Sequence, residues 1–150
     1  MELSPESIRK QLDVWPVARL ATQGLNGSPH QVPIVFVGLG DCLWSPVDGK
    51  PKRAGELVRV RNIRAHPTVS LLLDHYDNDW NALWWIRIEA RARVLEPSEP
   101  RGDAAFQAAL AALAEKYPQY EEVPLLQDSP TLLVFDTLQI RSWCASSSAA

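Results

Sequence analysis

The clearest pattern of apolar and polar positions along the chain is a strict alternation near its middle. Apolar residues at positions 86, 88, 90, 92 and 94 alternate with arginine or glutamate at positions 87, 89, 91 and 93. Successive side chains of a β-strand point to opposite faces, so this alternation predicts a strand with one buried face and one solvated face.

The first half of the chain carries the pattern of an antiparallel meander. Strand-like segments run over residues 17–22 and about 30–37, and Asn26-Gly27 between them is typical of a tight hairpin turn. A second turn at residues 38–41 leads to a third strand, Cys42 to Ser45. Further strands are predicted for residues 68–76, 131–136 and 138–144. The apolar centre of the 68–76 segment indicates burial on both faces.

Three segments show helical periodicity instead, over residues 4–15, 57–66 and 103–117. The chain is therefore predicted to form one domain, residues 1–150, of six or seven antiparallel strands with helices inserted between them. Residues 1–15 form the N-terminal helix of that domain, and residues 145–150 form a frayed tail. Because closing a sheet removes its exposed edges, a small β-barrel is the expected architecture.

Composition narrows the class of protein. The 150 residues are 46% hydrophobic and 22% charged, as in globular domains, and the formal net charge is −3. No apolar run reaches membrane-spanning length, so we expect a cytoplasmic protein without a membrane partner. Cys42 and Cys144 are too few for a disulfide framework, and the three histidines have no metal-ligand spacing. No nucleophile motif or paired catalytic carboxylates are evident, so the catalytic residues stay unknown.

A basic cluster stands out against this acidic background. The segment from Ser45 to Asn62 carries Lys50, Lys52, Arg53, Arg59 and Arg61 against only two acidic residues. A focused cluster of this kind predicts an anion site, since a nucleic-acid binder usually carries positive charge over a whole face. The alternative is a solvated face of a surface helix.

The tryptophans add a second feature. Trp84 and Trp85 are adjacent in a predicted strand, so one fills the core and the other faces outward. An outward tryptophan can stack on a planar ligand, lie in a subunit interface or simply pack at the rim. A flat cofactor bearing a phosphate would use both the tryptophan and the basic cluster. It would also supply the redox chemistry that no side-chain constellation provides.

Four segments make the sequence similar to a known superfamily: RLATQGLNGSPHQVPIVFV, WSPVDGKPKR, RNIRAHPTVSLLLDHYDNDW and ALWWIRIEARARVL. They resemble the pyridoxamine 5′-phosphate oxidase-like, FMN-binding split-barrel superfamily, and more narrowly its branch of coenzyme F420-dependent oxidoreductases. The resemblance covers about residues 14–144. It implies a mainly β fold, a six-stranded antiparallel Greek-key split barrel, and a homodimer with the flavin or deazaflavin in a cleft between subunits.

The resemblance also implies site residues. The candidates for the cofactor phosphate are Ser45, Lys50, Lys52, Arg53, Arg59 and Arg61. The strand that borders the ring corresponds to Val32, Pro33, Ile34 and Val35. Asn62 matches the helix motif, either as a ligand contact or as a structural residue. The candidates for a wall from the second subunit are Trp80, Trp85 and Trp143. The segment between the third strand and the helix motif is longer here than in many relatives. This leaves open whether Lys52 and Arg53 or Arg59 and Arg61 hold the phosphate.

The expected function is hydride transfer between reduced coenzyme F420 and a small unsaturated substrate. FMN is the alternative cofactor, because both molecules present a tricyclic ring and a phosphate. A non-catalytic flavin or deazaflavin carrier or sensor is the alternative from another class, since a fold alone does not establish catalysis. A nucleic-acid-binding barrel is disfavoured by the acidic net charge.

Overall fold

The computed structural model describes residues 1–47, 56–96, 104–122 and 130–150. These ranges contain three α-helices and seven β-strands. In chain order they are α1 (Pro5–Val14), β1 (Ala18–Gln23), β2 (Pro29–Ile34), β3 (Val37–Leu39), β4 (Cys42–Pro46), α2 (Val58–Ala65), β5 (Thr68–His75), β6 (Trp84–Leu95), α3 (Ala104–Lys116) and β7 (Leu132–Cys144). Single 3₁₀ turns lie at Trp80–Ala82 and Pro118–Glu121.

The strands form one antiparallel sheet in the order β2-β1-β5-β6-β7-β4-β3. Its two edge strands, β2 and β3, follow each other in the chain, so the sheet must curl to bring its edges together. No ladder between described strands closes it, and the barrel is therefore split rather than closed. The described sheet is consistent with the split barrel that the resemblance implies, but it has seven strands instead of six, and the closed barrel expected from the removal of sheet edges does not form.

The strand predicted for residues 30–37 accounts for the seventh strand. It divides at Val35 and Phe36: the first part pairs with β1, and the second part pairs with β4. The division is stable because the hydroxyl of Tyr117 bonds both the N–H and the carbonyl oxygen of Phe36, which then need no strand partner. The two strands predicted for residues 131–136 and 138–144 are instead one strand, β7, which has an irregular register opposite Glu89 and Ala90.

Burial follows the alternation that the sequence predicts for β6. Trp84 is buried in the core while Trp85 is only partly covered on the opposite face, as predicted. In β5 only the inward residues are fully buried. The outward Leu72 is partly exposed, so the prediction of burial on both faces is wrong.

Apolar side chains form two clusters. The larger fills the inside of the curled sheet, where Val60 and Ile63 of α2 close one end. The smaller lies under α3, where Phe106 and Leu113 pack against Trp44. In the C-terminal tail, the Ser146 hydroxyl donates to the carbonyl of Asn81, in the 3₁₀ turn before β6, at 2.8 Å. Within the described ranges, no helix has the length and apolar content needed to cross a bilayer.

Candidate functional site

A cavity of about 220 Å³ lies where the end of β2, the end of β4 and the start of α2 meet. The segment Pro33–Val35 forms one wall, Ser45 and Pro46 form the second, and Arg59 forms the third. Tyr120, from the 3₁₀ turn after α3, completes the lining. The fold thus brings together five residues that the sequence places in a cofactor site: Pro33, Ile34, Val35, Ser45 and Arg59.

The β2 wall is held in place by Tyr117. Its hydroxyl accepts the N–H of Phe36 at 3.0 Å, directly after Val35. Burial raises the pKa of Tyr117 to about 12, so the hydroxyl remains a neutral hydrogen-bonding group across the physiological range. The sequence predicts Tyr117 only as part of an apolar helix stripe, and its polar role depends on a contact 81 residues away.

The start of α2 favours an anion. Its N-cap residue, Leu57, makes no side-chain capping bond, and the first turn has no acidic residue. The first N–H groups of a helix lack intrahelical acceptors and carry the positive end of the helix dipole. Arg59 lies in this turn, half-buried against the cavity. Backbone donors and a guanidinium therefore lie together at the cavity, a combination that suits a phosphate.

The other basic residues are placed differently. Arg61, two residues further along α2, is exposed and does not line the cavity. Lys50, Lys52 and Arg53 lie outside the described residues. Among the helix candidates, the geometry therefore favours Arg59 over Arg61.

Two nearby polar residues of α2 are bonded within the protein. Asn62 is 1% exposed, and its amide donates to the Thr22 hydroxyl at 3.0 Å. This bond fixes α2 against β1. Arg64 forms ion pairs with Glu56 and Glu96, and the hydrogen bond to Glu56 raises the pKa of Arg64. Both residues hold α2 in position, beside the cavity rather than within its lining.

Val32 lies on the inward face of β2 opposite Leu20 and packs against the core. The tryptophan candidates lie far from the cavity. Trp85 and Trp143 are cross-strand partners at one end of the 12-residue β6, while Pro46 reaches the other end through Leu132. An extended strand of that length spans roughly 35 Å. One chain therefore does not bring Trp85 or Trp143 to the cavity.

The outward tryptophans are accessible. Trp80 is 70% exposed and Trp143 is 39% exposed, and the guanidinium carbon of Arg87 lies 5.8 Å from the ring centre of Trp85. The two side chains of the cross-strand pair share a face with Arg87, so this part of the sheet offers aromatic surface with a cation beside it.

The donor set of the cavity fits the phosphate end of a cofactor. It combines the guanidinium of Arg59, the uncapped start of α2 and the polar Ser45. A whole tricyclic cofactor needs more room, because pockets for ligands of that size measure about 300–1,000 Å³. A ring attached to this phosphate would extend past Pro33–Val35 to the surface. No cluster of three metal-ligating side chains occurs within the described ranges.

Comparison with known proteins identifies the family. The family described as "Pyridoxamine 5'-phosphate oxidase" matches residues 4–144. No curated protein matches the chain. A conserved hypothetical protein from Mycobacterium tuberculosis is similar in structure, with 20% identity, a TM-score of 0.75, and coverage of 99% of this chain and 89% of that one.

Two further solved structures share the fold. The heme storage protein HutZ from Vibrio cholerae is 20% identical, with a TM-score of 0.69 and coverage of 96% of this chain and 95% of that one. An F420 reductase is 19% identical, with a TM-score of 0.62 and coverage of 91% of this chain and 98% of that one. At these identities the similarity shows the fold alone. Because the family match spans almost the whole sequence, the chain belongs to the pyridoxamine 5′-phosphate oxidase family.

Proposed function

We propose that this protein is an oxidoreductase that transfers hydride between reduced coenzyme F420 and a small unsaturated substrate. The observation that carries the proposal is the cavity in which Arg59, the start of α2 and the Pro33–Val35 backbone meet. The family match and a structural neighbour described as an F420 reductase support it.

In this proposal Arg59 and the first N–H groups of α2 hold the cofactor phosphate. A hydrogen bond to a charged group contributes about 1.5–3 kcal/mol, so a few of them anchor a cofactor without a covalent link. The sequence adds Lys50, Lys52 and Arg53 between β4 and α2. Their positive charge would raise the local concentration of an anionic cofactor.

The Pro33–Val35 segment would border the ring, and the bound cofactor would supply the hydride chemistry. The role of the chain is then to hold the ring, exclude water and orient the substrate. FMN is the second candidate cofactor, because the same donor set suits its phosphate. A non-catalytic carrier is the second candidate function. It is favoured by the described residues of the cavity lining, among which there is no carboxylate, histidine or cysteine.

A homodimer would complete the site. Trp85 and Trp143 lie too far from the cavity to cover a ring bound to the same chain, but a second copy could present its own pair. The partly exposed aromatic pair also provides apolar surface of the kind that a partner covers.

Titration of the purified protein with coenzyme F420 and with FMN, followed by fluorescence, tests the proposal. Arg59→Ala should weaken binding at least about tenfold, which corresponds to about 1.4 kcal/mol. Arg61→Ala is the matched control, since it removes the same charge from the exposed side of α2, and it should change the affinity by less than about twofold. Binding of neither cofactor at micromolar concentration would overturn the proposal.

Turnover separates the enzyme from the carrier. Oxidation of reduced F420 in the presence of a panel of conjugated ketones, quinones and nitro compounds should depend on both substrate and protein. Tight binding with no turnover over the whole panel would favour the carrier.

A further inference from the structure

A second and larger cavity, of about 620 Å³, lies beneath α1. Its walls are one side of α1, the turn between β3 and β4, and the middle of β7. This volume falls within the range of small-molecule sites and far exceeds the voids of a normally packed interior. The space is therefore a candidate site in its own right.

The cavity exists because β4 covers only part of β7. Their ladder ends where Cys42 pairs with Asp136, and the chain then turns at Gly40, whose φ of 60° suits glycine. Beyond this point β7 continues beside β6 alone. On its inward face Ile140 is 40% exposed, although its cross-strand partner Ile88 is completely buried. An apolar side chain on the inward face is thus left uncovered.

An irregularity of the β6–β7 ladder lies beside the cavity. The register shifts between Glu89 and Ala90, so that Leu138 is left without a direct partner between Thr137 and Gln139. Bulges of this kind re-aim neighbouring side chains and are enriched next to functional sites. Thr137 and Ile140, on either side of the shift, both line the cavity.

This cavity is distinct from the Arg59 cavity. It contacts Cys42 and Leu43 at the beginning of β4, whereas the Arg59 cavity contacts Ser45 and Pro46 at the end of that strand. A cofactor phosphate at Arg59 would therefore leave the cavity beneath α1 open.

The lining combines an apolar floor with a charged mouth. The floor consists of inward residues of the sheet and of α1: Leu43, Ile88, Ile140, Ile8 and Leu12. The charged residues of the described lining are Arg9 and Asp13 of α1 and Asp41 in the turn between β3 and β4, and Asp13 also interacts with the nearby charge of Lys116. The Cys42 thiol also lines the cavity, but it donates to Asp136 at 3.1 Å.

We propose that the cavity beneath α1 is a second binding site, for a small molecule with an apolar body and a protonated amine. The apolar floor would bury the body, and the carboxylate of Asp41 would favour the cation. The same carboxylate disfavours a phosphate or carboxylate ligand beside it, so this site would not compete for the flavin or deazaflavin.

The neutral fluorescent probe N-phenyl-1-naphthylamine tests the site. Ile140→Glu places a charge on the cavity floor and should weaken probe binding at least about tenfold. Leu138→Glu is the matched control: it makes the same change on the same strand, at a residue that is 65% exposed and outside the lining. It should leave binding within about twofold of the parent protein. Equal loss in both variants, or loss in neither, would overturn the proposal.

Competition tests the ligand class. Octylamine should displace the probe at lower concentration than octanoate, and Asp41→Asn should reduce that preference. Better displacement by octanoate would overturn the assignment of a cationic ligand. FMN should not displace the probe. Displacement by FMN would place the probe in the Arg59 cavity and overturn the second site, without affecting the proposed function.

Discussion

The hydroxyl oxygen of Tyr117 lies 3.0 Å from the backbone nitrogen of Phe36 and 2.9 Å from the carbonyl oxygen of the same residue. It is also 2.9 Å from the carbonyl oxygen of Pro16. One side chain after α3 therefore ties the connection between α1 and β1 to the point where β2 ends and β3 begins. That point adjoins Val35, so the contact shapes a wall of the Arg59 cavity.

Replacing Tyr117 tests this contact. Tyr117→Phe leaves a buried backbone N–H unsatisfied, which costs about 1–3 kcal/mol of the free energy of unfolding. It should also weaken cofactor binding, because the wall at Val35 loses its anchor. Urea denaturation and cofactor titration measure the two effects. Tyr76→Phe removes a hydroxyl from a residue that is 71% exposed and should change neither. Equal effects of the two variants would contradict the structural role of Tyr117.

The buried hydrogen bond between Asn62 and Thr22 lends itself to a double-mutant cycle. Asn62→Leu and Thr22→Val each remove one partner and should each lower the free energy of unfolding by about 1–3 kcal/mol. The double variant removes both polar groups and should be less destabilised than the sum of the single variants. Additive losses in chemical denaturation would show that the bond contributes no coupling between α2 and β1.

Lys116 should make stability depend on pH. Burial lowers the pKa of Lys116 to about 8, from an ordinary value of 10.5, while the nearby charge of Asp13 opposes the shift. Between these two values the unfolded chain holds the proton and the folded chain does not. The unfolded state therefore binds more protons, and the contribution of Lys116 to stability rises as pH increases from about 8 to 10.5.

Lys116→Met isolates this effect. The variant keeps a long apolar side chain near the Phe36 ring, over which the lysine nitrogen lies at 3.9 Å. The stability difference between parent and variant should shift in favour of the parent as pH rises through this window. The contribution of Tyr117 to stability changes with pH in the opposite direction. Its pKa is raised from an ordinary 10.0 to about 12, so this contribution falls as pH rises between these two values. A difference that does not change with pH in denaturation experiments would contradict the prediction for Lys116.

The reactivity of Cys42 should respond in opposite directions to the loss of two of its charged neighbours, Asp136 and Arg93. Burial first, and then the hydrogen bond and charge of Asp136, raise the pKa of the Cys42 thiol, while Arg93 lowers it. Asp136→Asn should therefore speed alkylation by iodoacetamide at pH 8 by at least about twofold, because the thiolate is the reactive form. Arg93 and Asp136 form an ion pair, which either variant removes. Arg93→Gln should nevertheless slow the alkylation, because Arg93 lowers the pKa of the thiol.

Cys42→Ala controls for the second cysteine, Cys144, which is 2% exposed and should not react in the folded protein. Faster alkylation in both the Asp136 and Arg93 variants would indicate general loosening of the strand instead of a charge effect.

The proposed dimer predicts that Trp143→Glu shifts the protein towards a monomer, because a charge would be buried against the partner. Sedimentation at micromolar concentration measures the shift. A parent protein that sediments as a monomer would contradict the dimer and the site between two subunits.

Local chemistry in the sequence determined most of the elements. Alternation over residues 86–94 predicted the strand β6, the Asn26-Gly27 pair predicted the turn whose Gly27 has a φ of 84°, and helical periodicity over residues 4–15 predicted α1. These features depend on neighbours a few residues apart, so sequence alone carries them. The resemblance likewise identified the family and five of the residues that line the Arg59 cavity.

Only the tertiary structure decided which long-range partners meet. The division of the 30–37 segment depends on the distant Tyr117 hydroxyl, and the choice of Arg59 over Arg61 depends on which side of α2 faces β2 and β4. The cavity beneath α1 arises from where the β4–β7 ladder stops. None of these three features produces a periodic pattern in the sequence, because each depends on contacts between segments far apart in the chain.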